Sequence, residues 1–211
     1  MKVSELKKKG NFVHIKFENS ELLKIPYELF VKHNLYVGDE ISEEKFENLT
    51  EQIEIYRIKQ SAFRYLGLRN HSKSELKLKL VKKGYGKSLI NISINDIDRL
   101  GYLDDKKFAE EYFNYQIKKK KGLFKIKAEL VKKGIERKII EELSAGFIDH
   151  PEFENSINQL VEKKLRLFQS KNYSKIQIKQ KLYLFLTQKG FSTDLIQKSL
   201  DRKLKEINEE F

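Results

Sequence analysis

The apolar positions of this chain follow two registers. Over the first 25 residues they alternate: Val13, Ile15 and Phe17 face one way, with His14 and Lys16 between them. Val3 and Leu6 precede this run, Asn19 and Ser20 supply a turn, and residues 21–25 can return as a further strand, so the pattern predicts a small β-meander. Such a sheet is marginal alone and must pack on something. Pro26 suits the first position of a short helix carrying Tyr27, Leu29 and Phe30, and residues 34–40 read as loop. From Ser42 onward the period changes to that of a helix, with Ile55, Ile58, Ala62 and Leu66 as one stripe.

Helices then follow one another to the end. Ser72 and Glu75 have capping-box spacing, and the helix they open runs to Gly84. The next helix carries Leu89, Ile90, Ile94 and Ile97 up to Gly101, which stands where a left-handed residue ends a helix and only Gly escapes a Cβ clash. Asp104 is placed as the N-cap of the following helix, with Leu103 and Phe108 as a hydrophobic staple and Phe108, Tyr112 and Tyr115 on one face. Asp104 and Asp105 also have the composition of an acid/base or metal pair, but no other ligand type clusters nearby, and capping accounts for them. Further on, Phe153, Ile157, Leu160, Val161 and Phe168 form a stripe. Ser174 and Gln177 form a second capping box with Tyr173 and Ile178 as its staple. A last helix carries Leu195, Ile196, Leu200, Leu204 and Ile207 before fraying at Glu209-Glu210-Phe211.

The helical part repeats itself. L-V-K-K-G-Y-G-K-S-L-I at residues 80–90 returns as L-V-K-K-G-I-E-R-K-I-I at 130–140 and, more loosely, as L-T-Q-K-G-F-S-T-D-L-I at 186–196. The glycines Gly84, Gly134 and Gly190 are offset by 50 and then 56 residues, a length that suits a unit of about three short helices. The caps Ser72 and Gly122 each lie twelve residues before their glycine, and Ser174 lies sixteen before Gly190; the extra four are one helical turn, which keeps the apolar face in phase. The predicted organisation is a β-meander extension over 1–50 and three three-helix repeats over 51–103, 104–147 and 148–211, the third beginning near Asp149-His150-Pro151. The fold class is mainly α.

Composition narrows the chemistry. The chain has no cysteine, which excludes disulfides, thiol nucleophiles and zinc–thiolate sites and fits a reducing compartment, so a cytoplasmic location is expected. No apolar stretch approaches a membrane span, and residues 1–10 lack the apolar core of a signal peptide. The histidines His14, His33, His71 and His150 are scattered, and none pairs with another at metal-ligand spacing. Gly86-Lys87-Ser88 resembles the tail of a phosphate-binding loop, but Val81 stands where the first glycine is required and a helix precedes it. No cofactor is expected, and a binding protein is favoured over an enzyme.

Charge is the stronger clue. The net charge is +12, which points to a polyanionic or acidic partner. Residues 39–57 run the other way, with seven acids against two bases; acids at a helix start suit the macrodipole, and an intramolecular clamp on basic helices is the alternative. Residues 117–138 carry ten bases and two acids, a local +8. A lysine or two at a helix C-terminus complements the dipole, but four in a row followed by more on the next helix predict a binding surface. Its candidate residues are Lys118, Lys119, Lys120, Lys121, Lys125, Lys132 and Lys133, with Lys79, Lys82 and Lys83 of the first repeat, and Lys77 beside them, as the next in line.

Three segments also resemble a known family. S-K-S-E-L-K-L-K-L-V-K-K-G-Y (72–85), R-L-G-Y-L-D-D-K-K-F-A-E-E-Y (99–112) and I-K-A-E-L-V-K-K-G-I (126–135) are similar to the RecX family of bacterial recombination regulators, over roughly residues 55–200. Residues 1–50 resemble the β-containing extension of a subset of that family. The resemblance implies a curved array of three tandem three-helix units. It also implies a monomeric regulator in DNA repair, recombination and the SOS response, whose partner is the RecA filament. Such a regulator blocks filament growth or promotes disassembly, and so lowers recombinase, ATPase and co-protease activity. Single-stranded DNA, and secondarily double-stranded DNA, is the further partner expected. The alternative reading is a nonspecific DNA-binding helical-repeat protein that acts without RecA.

Overall fold

The computed structural model describes residues 1–148, 150–169 and 173–209, with backbone alone at 169 and 204–209. Asp149, Glu210, Phe211 and the side chains of Leu204 and Ile207 therefore lie outside the described residues. The chain divides into two compact units, Met1–Leu103 and Asp104–Phe211.

The first unit opens with the predicted meander. β1 (Val3–Lys9), β2 (Phe12–Phe17) and β3 (Leu22–Pro26) form an antiparallel sheet in that order. Val13, Ile15, Phe17 and Ile25 are buried on one face. The short helix α1 (Tyr27–His33) starts one residue later than expected. Pro26 is its N-cap, at φ −57 and ψ 140, because Pro26 still pairs with Phe12 in the sheet and so keeps extended backbone. Helix α2 (Glu43–Leu66) is 24 residues long and is capped by Ser42, whose hydroxyl accepts from Lys45 N–H at 3.1 Å.

α2 serves two cores, and this changes its stripe. Leu49 and Ile53 pack under the sheet with Val3, Ile15 and Phe17, whereas Ile58 and Ala62 pack in the first repeat with Leu76, Leu80, Ile90, Ile94 and Ile97. Ile55, expected on the stripe, is only half-buried. The sheet, which cannot stand alone, is thus covered by the front of the same helix whose back opens the first repeat, and that helix runs unbroken through residue 50. α3 (Lys73–Lys82) and α4 (Lys87–Arg99) complete the repeat. Ser72 caps α3 by accepting from Glu75 N–H at 3.1 Å.

In the second unit α5 (Asp105–Lys118), α6 (Leu123–Lys132) and α7 (Arg137–Ala145) form the middle repeat, and α8 (Pro151–Gln169), α9 (Lys175–Lys189) and α10 (Thr193–Glu209) the third. The two repeats share one core, running from Phe108, Phe113, Ile126, Leu130 and Ile140 to Phe153, Ile157, Leu182, Leu186 and Ile196. Asp104 caps α5, accepting from Lys107 N–H at 2.9 Å. The expected staple pair is divided: Leu103 is buried in the first unit's core and Phe108 in the second's. The Ser174–Gln177 capping box is complete in both directions, and α9 has 15 residues where α3 and α6 have 10, the extra turn anticipated from the cap spacing.

α5 presents a different face from the one expected. Its buried residues are Phe108, Ala109, Phe113, Gln116 and Ile117. At about 100° per residue, Tyr115 points more than a third of a turn away from the centre of that arc, so it is exposed instead of joining Phe108 and Tyr112.

Candidate functional site

The four-lysine run lies at the C-terminal end of α5. Lys118 is the last helical residue and Lys119 the C-cap. Lys120 N–H donates to Ile117 O at 2.7 Å and Lys121 N–H to Gln116 O at 3.2 Å, the paired bonds of a Schellman close. The left-handed residue of that close is Lys120, with φ +57. Among the described residues, four other helix ends close by the same bond pair, and there the left-handed residue is Gly84, Gly101, Gly134 or Gly190.

The side chains of the run divide. Lys118 and Lys119 are exposed, Lys120 is half-buried, and the Lys119 ammonium stands 4.3 Å from the centroid of the Tyr115 ring. Lys121 is committed elsewhere. Its Nζ donates to both carboxylate oxygens of Glu129 on α6, at 2.6 and 2.8 Å. Tyr112 donates its hydroxyl to the same carboxylate at 2.8 Å, and the Lys133 ammonium lies 4.9 Å from the Tyr112 ring centroid. Burial alone would raise the Glu129 carboxyl. The hydrogen bonds from Lys121 and Tyr112 and the charges of Lys121 and Lys125 outweigh it and hold that carboxyl below its ordinary value.

Lys125 faces the third repeat, where its Nζ donates to Gln188 O at 3.2 Å. It belongs to a close joint. Gly122, the N-cap of α6, has no side chain to cap with; its own N–H donates to Lys189 O at 2.8 Å, and Phe124 N–H donates to Gly190 O at 3.0 Å. The end of α9 thus supplies the carbonyls that the start of α6 needs. A Cβ at Gly122 would stand 2.2 Å from the carbonyl carbon and oxygen of Gly190, so no larger residue fits. Lys132 is exposed at the end of α6, and Lys127, not among the predicted residues, pairs with Glu141 at 2.7 Å.

Apart from Lys132, exposed at the end of α6, the sequence-predicted lysines fall into three groups. Lys118, Lys119 and Lys120 sit together beside Tyr115. Lys121, Lys125 and Lys133 surround Glu129 and the third-repeat joint. Lys79, Lys82 and Lys83 belong to the first unit, where the Lys79 and Lys83 ammoniums lie 4.6 and 5.2 Å from the Tyr65 ring centroid and Lys82 is exposed. Sequence reasoning missed Tyr115 and Glu129. The signal for Glu129 was its place midway between Lys125 and Lys133 at i,i+4 spacing on one helical stripe. Among the described residues, no group of three or more His, Asp or Glu is placed to hold a metal ion, and no helix is long and apolar enough to cross a membrane.

Comparison with known proteins bears on the whole arrangement. The family model for the first three-helix domain of RecX matches residues 59–95, that for the second matches 104–143, and that for the third matches 152–200. The regulatory protein RecX of Pelodictyon phaeoclathratiforme is 39% identical over 143 residues, covering 66% of this chain and 84% of that protein. The regulatory protein RecX of Clostridium tetani is 26% identical over 203 residues, 96% of this chain and 93% of that protein. A crystal structure of a regulatory protein RecX has the same fold, with a TM-score of 0.77 at 20% identity over 95% of this chain and 98% of that one. With all three of the family's domains in order along it, the chain belongs to the RecX family of regulatory proteins.

Proposed function

We propose that this protein is a monomeric, cytoplasmic modulator of the RecA filament, acting by binding and not by catalysis. In this reading it blocks filament growth or promotes disassembly, and so lowers recombinase, ATPase and co-protease activity. Family membership supports the reading, since RecA modulation is the role associated with that family. The observation that carries it to residues is the lysine group at the end of α5, where Lys118 and Lys119 are exposed and Lys120 joins them. A filament of protein on DNA offers both acidic side chains and phosphates, and cations held in place by a helix end gain on-rate and affinity from either. Exposed Lys132 extends the surface along α6, Lys125 and Lys133 flank it from their contacts with Gln188 and the Tyr112 ring, and Lys79, Lys82 and Lys83 are a secondary basic group.

The experiment is a RecA ATPase assay on single-stranded DNA with this protein titrated in. ATPase should fall as the protein is added. An unchanged rate at saturating protein would contradict the reading. A pull-down on RecA filaments against naked single-stranded DNA at matched salt then separates filament binding from RecA-independent DNA binding. Equal recovery on both would favour the second.

A further inference from the structure

We infer that Tyr115, together with Lys118, Lys119 and Lys120, is a contact for single-stranded DNA, the phenol ring stacking on an unpaired base and the lysines holding the adjoining phosphates. The inference rests on the proposed function above and assigns part of that surface to the DNA instead of to RecA.

Three features of the α5 end converge on it. Tyr115 is 54% exposed, so its ring is open to a ligand at the helix end. The Lys119 ammonium lies over one face of the ring, 4.3 Å from its centroid, which brings a cation to the ring and leaves the opposite face for a base. Lys120 holds φ +57, where a Cβ is strained and where the four comparable helix ends carry glycine. Glycine there would close the helix with less strain, and the Lys119, Lys120 and Lys121 N–H groups already bond the final carbonyls, so a lysine charge is not needed to satisfy them. A strained residue kept against that preference marks a position chosen for its side chain.

The pairing selects the ligand. A carboxylate on a protein surface would need the ammoniums but not the ring. A duplex would offer phosphates but keep its bases stacked and paired. An unpaired nucleotide presents both a π-face and a phosphate, the combination found on single-strand binding surfaces. Lys121, tied to Glu129 at 2.6 Å, is not counted in the contact.

The test uses the full-length protein without RecA, reading anisotropy of a labelled oligothymidylate and of a duplex of equal length, with the RecA ATPase assay run in parallel on every variant. Tyr115→Leu should weaken oligothymidylate binding about tenfold and leave duplex binding unchanged, and Tyr115→Phe should retain it, because stacking needs the ring and not the hydroxyl. Lys120→Gly should raise the melting temperature by about 2–4 °C while weakening oligothymidylate binding and lowering the salt slope by about 0.7. Full oligothymidylate binding by Tyr115→Leu, or equal loss on both probes, overturns the stacking role. Loss of ATPase inhibition on changing the lysines, without any oligonucleotide binding by the wild type, overturns the DNA assignment in favour of an acidic protein surface. Failure of the wild type to lower RecA ATPase, with oligothymidylate binding intact, overturns the proposed function and leaves this contact standing.

Discussion

The first and middle repeats treat the same junction in opposite ways. Fifty residues apart, His71 corresponds to Lys121, Ser72 to Gly122, Glu75 to Lys125, and Lys79 to Glu129. In the first repeat the acid stands on the opening turn of the second helix. Glu75 Oε2 accepts from Arg69 Nη1 and meets His71 Nδ1, each at 3.0 Å, and the Ser72 hydroxyl caps the helix. In the middle repeat the acid has moved one turn along, to Glu129, and takes only Lys121 of the four-lysine run; the cap is supplied by backbone carbonyls of the third repeat. Charge reversal at matched positions thus replaces a side-chain cap and its Arg69–Glu75–His71 cluster with a backbone joint to the third repeat, and it leaves Lys118, Lys119 and Lys120 beside an exposed ring.

Exchanging the caps breaks this comparison most sharply. Gly122→Ser, which copies Ser72, would drive a Cβ into the backbone of Gly190 and Phe191 at 2.2–2.3 Å, and should cost about 3 kcal/mol or more. That corresponds to a melting temperature lower by about 6–12 °C by calorimetry. The reverse exchange, Ser72→Gly, should cost a few tenths of a kcal/mol, because glycine is itself an acceptable cap. Similar losses from the two exchanges would mean that the junctions are alike after all.

Glu129→Gln is the next largest. It leaves Lys121 without its charge partner at a site where the carboxylate is only 23% exposed, and should cost about 1–2 kcal/mol. It should also change the acid response. The Glu129 carboxyl lies below its ordinary 4.5 in the folded protein, so its contribution is complete above the unfolded value and is lost as pH falls through the folded one. Melting curves between neutral and acid pH should therefore be flatter below about 4.5 in Glu129→Gln than in the wild type. Parallel curves would remove Glu129 from the account.

What the sequence made legible here was local. Val13, Ile15 and Phe17 announce the sheet because alternation is a two-residue signal, and Ser72, Asp104, Ser174 and Gly101 mark helix ends because capping is settled within one turn. What it hid was set by distant chain. Nothing near Ile55 says that α2 is shared between two cores, so its apolar spacing alone points to a stripe that the structure leaves half-buried there. Pro26 suits the first helical position by its ring alone, and its pairing with Phe12 across the sheet delays the helix by one residue. Gly122 was placed correctly at a cap, yet the reason no side chain is tolerated is Gly190, in another repeat. The basic surface was legible as a count, but which lysines are committed depends on Glu129 and Gln188.

Smaller effects sharpen the first-repeat side. Ser72→Ala should cost about 1 kcal/mol through loss of the cap, read as a shift in a denaturant midpoint without a change in slope. His71, buried to 3% exposure, is held below its ordinary 6.5, chiefly by burial, which outweighs the hydrogen bond to Glu75. The folded protein therefore takes up that proton less readily than the unfolded chain, and stability should decline as pH falls from 6.5 toward the lowered value. His71→Gln should flatten the melting-temperature profile in that window alone. A profile that kept its slope would assign the acid loss to another group.

The central claim is that the lysines left uncommitted at the end of α5 make the main electrostatic contact with the filament. It is tested most directly by comparing the wild type with Lys118→Glu/Lys119→Glu/Lys120→Glu for binding to RecA–DNA filaments across a salt titration. The fold should survive, since surface charge changes usually move stability by only about 0.5 kcal/mol. At low salt the triple variant should bind far more weakly than the wild type, and the two should converge as salt screens both. Equal binding at low salt would contradict the claim and move the contact to Lys77, Lys79, Lys82 and Lys83 of the first repeat.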